Sequence, residues 1–137
     1  EQAVLNYQQA IAADTAFAEA HNNLGKALFR LGKHDEAFAS YQQALTIDPL
    51  YAEVYNSLGN YWYHTGKSEK ALPNFMQAKK INPKFAEAYN GAGAALIRMG
   101  EARKAAAFFR EAVKIDPDYV AAQNNLKNTL AALGKNN

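Results

Sequence analysis

Apolar residues recur three and four places apart along most of the chain. They appear first as Leu24, Leu28 and Leu31, then, after a polar break, as Ala37, Tyr41 and Ala44. That spacing gathers them on one face of a helix. The two-part pattern returns as Tyr55, Leu58 and Trp62 with Ala71, Phe75 and Ala78, and its second part again as Ala105, Phe109 and Ala112. It predicts paired helices. Each first helix closes at a glycine (Gly32, Gly66, Gly100 and Gly134), a residue that takes the left-handed turn conformation without a Cβ clash. A second helix follows from about Asp35, Glu69 and Arg103, with Ser68 a candidate N-cap. It stops at Asp48-Pro49, Asn82-Pro83 and Asp116-Pro117, because the residue before a proline is pushed out of helical geometry. Pro73 lies early in its helix and is expected to remove one hydrogen bond and bend the axis slightly without breaking it.

The punctuation keeps one ruler. Gly25, Gly59 and Gly93 are 34 residues apart, and so are Pro49, Pro83 and Pro117. Cut at that period, the chain gives three units, 18–51, 52–85 and 86–119, opening "AEAHNNLG", "AEVYNSLG" and "AEAYNGAG"; nine of the 34 places are identical in all three. Residues 1–17 match the second half of a unit, with Thr15 in the proline's place, and residues 120–137 match a first half that would cap the array. A single helical pair cannot bury its own apolar face, so the units must stack into a continuous core. The expected fold is an all-α solenoid. Gly25, Gly59 and Gly93 fall mid-helix, where glycine costs about 1 kcal/mol against alanine; their recurrence opposite Ala37, Ala71 and Ala105 suggests a close approach of paired helices.

The middle unit carries Tyr55, Leu58, Gly59, Trp62, Ala71, Phe75 and Pro83; the first carries His21, Leu24, Gly25, Leu28, Ala37, Tyr41 and Pro49. The third carries Tyr89, Gly93, Leu96, Ala105, Phe109 and Pro117, with Ala92 in place of the leucine. In these residues the chain resembles the tetratricopeptide repeat family over essentially its whole length. The resemblance implies a right-handed superhelix of antiparallel helix pairs whose first helices line a concave groove. It further implies binding of peptide segments of partner proteins, without catalysis. Two other functions stay open: the substrate-recognition segment of a larger enzyme such as a glycosyltransferase, and a self-assembling or spacer scaffold.

The groove candidates come from one stripe of the first helix. The fifth place of every unit is asparagine: Asn22, Asn56, Asn90 and Asn124. On the same stripe lie Glu19, Glu53 and Glu87, then Lys26, Asn60, Ala94 and Asn128, then Phe29, Tyr63 and Ile97, flanked by Arg30, His64 and Arg98. An amide can pair with a peptide backbone as donor and acceptor. The aromatic and isoleucine positions would take apolar side chains, and the cations acidic ones. The repeats of O-linked N-acetylglucosamine transferase are similar in reading "NNL". Their key asparagine matches the sixth place, which here holds Asn23, Ser57, Gly91 and Asn125. The places by which related domains clamp chaperone C-termini hold Asn22, Lys26, Ser57, Glu87 and Gly91, or one unit along Asn56, Asn60, Gly91, Ala121 and Asn125. Neither set supplies the required cations, so that clamp is not expected.

Composition removes other chemistries. A net charge of +2 over 137 residues is too near balance to point to nucleic acid or an anionic membrane. With no cysteine, thiolate metal sites and disulfides are excluded. No apolar run reaches the roughly 20 residues of a membrane span. "GNYWYHTGKS" ends like a phosphate loop but puts six residues, not four, between its glycines. "GAGAAL" lacks the third glycine of a dinucleotide fingerprint and reads as helix packing. His21, His34 and His64 occupy three different places in the repeat. No nucleophile, carboxylate dyad or metal cluster is recognisable, so neither enzyme activity nor a cofactor is expected. The first helix lacks a hairpin partner, and its Val4, Tyr7 and Ile11 are expected to stay partly exposed and drive weak dimerisation. No signal peptide is visible, which leaves the compartment open and slightly favours a cytoplasmic setting.

Overall fold

The computed structural model describes residues 1–13 and 17–135, so Thr15 lies outside the described residues. They form eight helices and no strand: α1 Gln2–Ala13, α2 Ala18–Arg30, α3 His34–Ile47, α4 Ala52–His64, α5 Ser68–Ile81, α6 Ala86–Arg98, α7 Ala102–Ile115 and α8 Val120–Lys135. The hairpins are α2/α3, α4/α5 and α6/α7.

Each hairpin turn is closed by two backbone bonds around a left-handed glycine. In the middle unit Gly66 N–H donates to the Tyr63 carbonyl (3.2 Å) and Lys67 N–H to the Trp62 carbonyl (2.8 Å). Gly32, Gly66 and Gly100 have φ of 78°, 82° and 81°, which only glycine adopts without strain. Gly134 behaves differently: with no second helix described beyond it, α8 runs through it to Lys135. Ser68 is the first residue of α5, and Lys67 occupies the capping position with no side-chain cap bond. The N-cap expectation for Ser68 therefore fails; its side chain is buried instead. Pro73 sits inside an unbroken α5. The second helices end on Ile47, Ile81 and Ile115, one residue before each Asp/Asn-Pro pair.

The core runs between the layers. Ala37, Ala44, Ala71, Ala78, Ala105 and Ala112 are fully sealed, and Tyr41, Phe75 and Phe109 project from the second helices to within 2 % of full burial. What meets each mid-helix glycine is a ring rather than an alanine: the nearest atoms to a Cβ on Gly25, Gly59 or Gly93 would be those of Tyr41, Phe75 and Phe109, at 2.5 Å. Gly91 also faces the Phe75 ring, which is thus wedged between two glycines on successive first helices.

Among the described residues, α2 packs on α4, α4 on α6 and α6 on α8, whereas no contact joins α3 to α5 or α5 to α7. The first helices therefore form the tight inner layer, and the second helices fan outward. That difference makes the α2–α4–α6–α8 face the concave one. At the start of the array, Val4, Tyr7 and Ile11 are half-buried against the first core cluster, and Leu5 is left exposed. At the far end α8 keeps Lys127 and Asn128 outward and Leu126 and Leu133 half-buried. Among the described residues no helix is long and apolar enough to cross a membrane.

Candidate concave-face site

The asparagine row sits on the first helices, but its amides turn toward the neighbouring repeat. Asn22 is fully buried, and its Oδ1 accepts from the Ser57 hydroxyl at 2.9 Å. Asn90 Oδ1 accepts from Asn125 Nδ2 at 2.9 Å, and Asn90 Nδ2 donates to the Tyr119 hydroxyl at 3.3 Å. In both cases the fifth place of one unit meets the sixth place of the next. At the middle boundary these partners are Gly91 and Phe85, which offer no side-chain hydrogen bond, and Asn56 Oδ1 is sealed without a partner. Asn22 Nδ2 likewise has no bond of ordinary geometry, although it stands beside the Tyr51 hydroxyl. Asn124 is exposed on α8. The sequence could place these amides on one stripe; that the stripe is partly consumed between repeats depends on the angle at which the hairpins stack.

The rest of the predicted stripe stays at the surface. Lys26, Phe29 and Tyr63 are half-buried, Arg30, Asn60 and His64 are exposed, and Ile97 is 41 % exposed. Three open clefts border it, the third of them, about 430 Å³, set among Lys26, Glu53, Asn56, Lys84, Phe85 and Glu87. The first, about 420 Å³, lies between α2 and α4 and is lined by Lys26, Phe29, Arg30, Asn60 and His64, with Tyr41, Ser57 and Tyr61 at its base. The second, about 260 Å³, lies between α6 and α8, with Tyr63, Ile97 and Phe109 on one side and Asn125, Asn128 and Thr129 on the other. Tyr61 and Thr129, both at the tenth place, were not among the sequence candidates. Their signal was faint, since the third unit has only Ala95 there.

Arg98 is drawn out of the cationic set. Its Nη1 donates to the Tyr63 carbonyl at 2.6 Å, and its guanidinium lies 3.6 Å from the centre of the Tyr63 ring. Such stacking is worth about 0.5–2 kcal/mol, and the carbonyl it caps belongs to the last turn of α4. His64 makes a looser version of the contact, 6.0 Å from the Phe29 ring, while His34 lies 4.8 Å from the same ring. Burial raises the Tyr41 hydroxyl to a pKa of about 12 against the pull of Arg30, and raises Tyr61 in the same direction, reinforced by Asp35. Among the described residues no group of three potential ligands could hold a metal ion.

Comparison with known proteins agrees with this architecture. Family models described as TPR repeat match residues 1–32 and 25–66, and models described as tetratricopeptide repeat match 52–85 and 86–119. The sequence matches no curated protein. Among solved structures, the first TPR of Spaghetti (RPAP3) bound to the HSP90 peptide SRMEEVD is similar, with a TM-score of 0.81 and 23% identity over 85% of this chain and 93% of that one. A crystal structure of MamA has a TM-score of 0.81 and 24% identity, over 96% of this chain and 77% of its own. The Arabidopsis OM64 TPR domain has a TM-score of 0.76 and 22% identity over 82% and 93%. At such identities the likeness concerns the fold.

Proposed function

This chain belongs to the tetratricopeptide repeat family, and from that premise we propose that it is a protein-interaction module holding an extended partner segment against its concave face. The observation that carries the reading is the surplus on that face. Phe29 stands beside Lys26 and Arg30 at one open cleft and Tyr63 and Ile97 line the other, and the core built on Tyr41, Phe75 and Phe109 leaves these side chains only partly covered. Half-buried aromatic and aliphatic side chains next to cations gain area and charge pairing from a partner. The similar RPAP3 domain holds a peptide, which supports the general role without specifying this chain's ligand. No catalytic step is part of the proposal.

The test is selection of binding peptides from a displayed proteome library, followed by affinity measurement on variants. Lys26→Glu with Arg30→Glu should weaken the selected peptides by about tenfold or more, roughly 1.4 kcal/mol. Arg110→Glu with Lys114→Glu, on exposed positions of the outer helix α7, should leave them unchanged. The reverse result would move the working surface to the outer layer.

A further inference from the structure

The α2/α4 and α6/α8 clefts are the same site two repeats apart. The ninth and twelfth places of one unit, the second-helix ring, and the sixth, ninth and tenth places of the next unit recur in both: Lys26, Phe29, Tyr41, Ser57, Asn60 and Tyr61 become Ala94, Ile97, Phe109, Asn125, Asn128 and Thr129. The middle boundary holds the equivalent residues, and there two departures close the space. Gly91 stands where the others have Ser57 and Asn125, and the Phe75 ring lies against its bare backbone. Arg98 then lies flat on the Tyr63 ring and is pinned by its bond to the Tyr63 carbonyl. At the flanking boundaries the corresponding residues are His64, more loosely placed over Phe29, and Ala132, which is too short to reach across.

We infer, building on the interaction-module reading, that the concave face has two side-chain sockets separated by an Arg98–Tyr63 bar. The partner it fits is an extended segment with one acidic anchor and one aliphatic anchor, and small residues between them. Charge sets the first anchor: Lys26, Arg30 and His64 surround the α2/α4 socket, and no carboxylate lines it. The α6/α8 socket has no charged lining residue and presents Ile97, Phe109 and Ala94, with amide and hydroxyl groups at one wall, so it takes an aliphatic side chain. Packed helices lie about 10 Å apart, which puts the sockets about 20 Å apart. An extended chain advances about 3.3 Å per residue, so the anchors should lie about six residues apart.

The probe is a series of fluorescent peptides carrying one glutamate and one leucine, in both orders, with Gly/Ser/Ala spacers from about one residue to about a dozen. Binding to the whole chain is followed by anisotropy. One order should bind best, with an optimum near the six-residue separation. Removing either anchor from that peptide should cost about tenfold. Arg30→Glu should abolish the contribution of the glutamate alone, and Ile97→Asp that of the leucine alone. A bulky leucine placed mid-spacer should weaken binding to the wild type and be tolerated by Arg98→Ala. No binding by any member, affinity indifferent to spacing, or equal tolerance of the central leucine by both proteins would overturn the two-socket arrangement. If binding is indifferent to spacing yet still lost in Lys26→Glu with Arg30→Glu, the interaction-module reading survives. If it is lost only in Arg110→Glu with Lys114→Glu, that reading fails as well.

Discussion

Asn125 on α8 donates its amide N–H to Asn90 on α6 at 2.9 Å, in a bond that reaches 35 residues along the chain and one repeat through space. Ser57 makes the equivalent bond to Asn22 at 2.9 Å. A row that reads along the sequence as a backbone-binding stripe is thus also a set of stitches between repeats. A buried hydrogen bond contributes about 0.5–1.5 kcal/mol net, and an orphaned buried partner costs about 1–3 kcal/mol.

Asn90→Ala and Asn56→Ala should therefore part company. The first removes two side-chain bonds and leaves the amide of Asn125 and the Tyr119 hydroxyl without that partner; we expect a loss of about 1–3 kcal/mol in urea unfolding. The second removes a sealed carbonyl that has no partner, and alanine favours helix over asparagine. It should be neutral or mildly stabilising. Equal losses in the two variants would contradict the inter-repeat role.

Phe85→Tyr should repair the middle boundary. Tyr51 and Tyr119 occupy the same place in the flanking units, and the Tyr119 hydroxyl already accepts from its asparagine. A hydroxyl at residue 85 would stand beside Asn56, with which Phe85 shares a surface cleft. The expected gain is about 0.5–1.5 kcal/mol, and it should vanish in the Asn56→Ala background, as a double-mutant cycle would reveal.

Gly59→Ala and Gly91→Ala should both destabilise, although alanine is the better helix former by about 1 kcal/mol. At Gly59 the new Cβ would lie 2.5 Å from the Phe75 ring, and Gly91 meets the same ring. Over-packing of this kind costs about 1–3 kcal/mol. Pairing either change with Phe75→Leu should recover part of the loss, because it removes the ring both glycines accommodate. Melting temperatures of the two single and two double variants decide it.

The helical pairing, the turn glycines and the proline stops were legible because each is written in local spacing. The close approach at Gly25, Gly59 and Gly93 was legible too, but its partner was not. Tyr41, Phe75 and Phe109 look like any other core aromatics until the hairpin angle aims them at the bare backbone. Register alone put Lys26, Phe29, Asn60 and His64 on one stripe, and the structure gathers them around one cleft. Register places Arg98 among the cations of the stripe, but nothing local shows that it reaches the end of α4 one repeat back.

Gly66-Lys67-Ser68 should not bind ATP or GTP. A phosphate loop needs several free backbone N–H groups aimed at one oxyanion. Here the Gly66 and Lys67 amides are already bonded to carbonyls of α4, and the Lys67 ammonium lies over the Trp62 ring at 5.4 Å. Calorimetry should show no heat attributable to nucleotide. Micromolar binding abolished by Lys67→Ala would refute this reading of the turn.

The last expectation concerns alkaline stability. Tyr41 is raised from 10.0 to about 12 because burial disfavours the phenolate, an effect that the Arg30 charge offsets only in part. Tyr51, Tyr61 and Tyr119 are raised in the same direction, with burial the leading cause in each. Between pH 10 and 12 the unfolded chain gives up the Tyr41 proton while the folded chain retains it. The unfolded state then binds fewer protons, so stability falls as pH rises. Tyr41's contribution is fully present below pH 10 and drains away as pH rises toward 12. A two-unit shift corresponds to at most about 2.7 kcal/mol, and screening by solvent from the adjoining cleft should hold the loss to about 2 kcal/mol or less. Tyr41→Phe tests this with little disturbance of shape, because Phe75 and Phe109 occupy the same place in the other repeats. Its urea midpoint should decline less steeply than the wild type's between pH 10 and 12, while the other three tyrosines sustain a residual slope. Parallel curves for the two proteins would mean that Tyr41 ionises as readily in the folded chain as in the unfolded one.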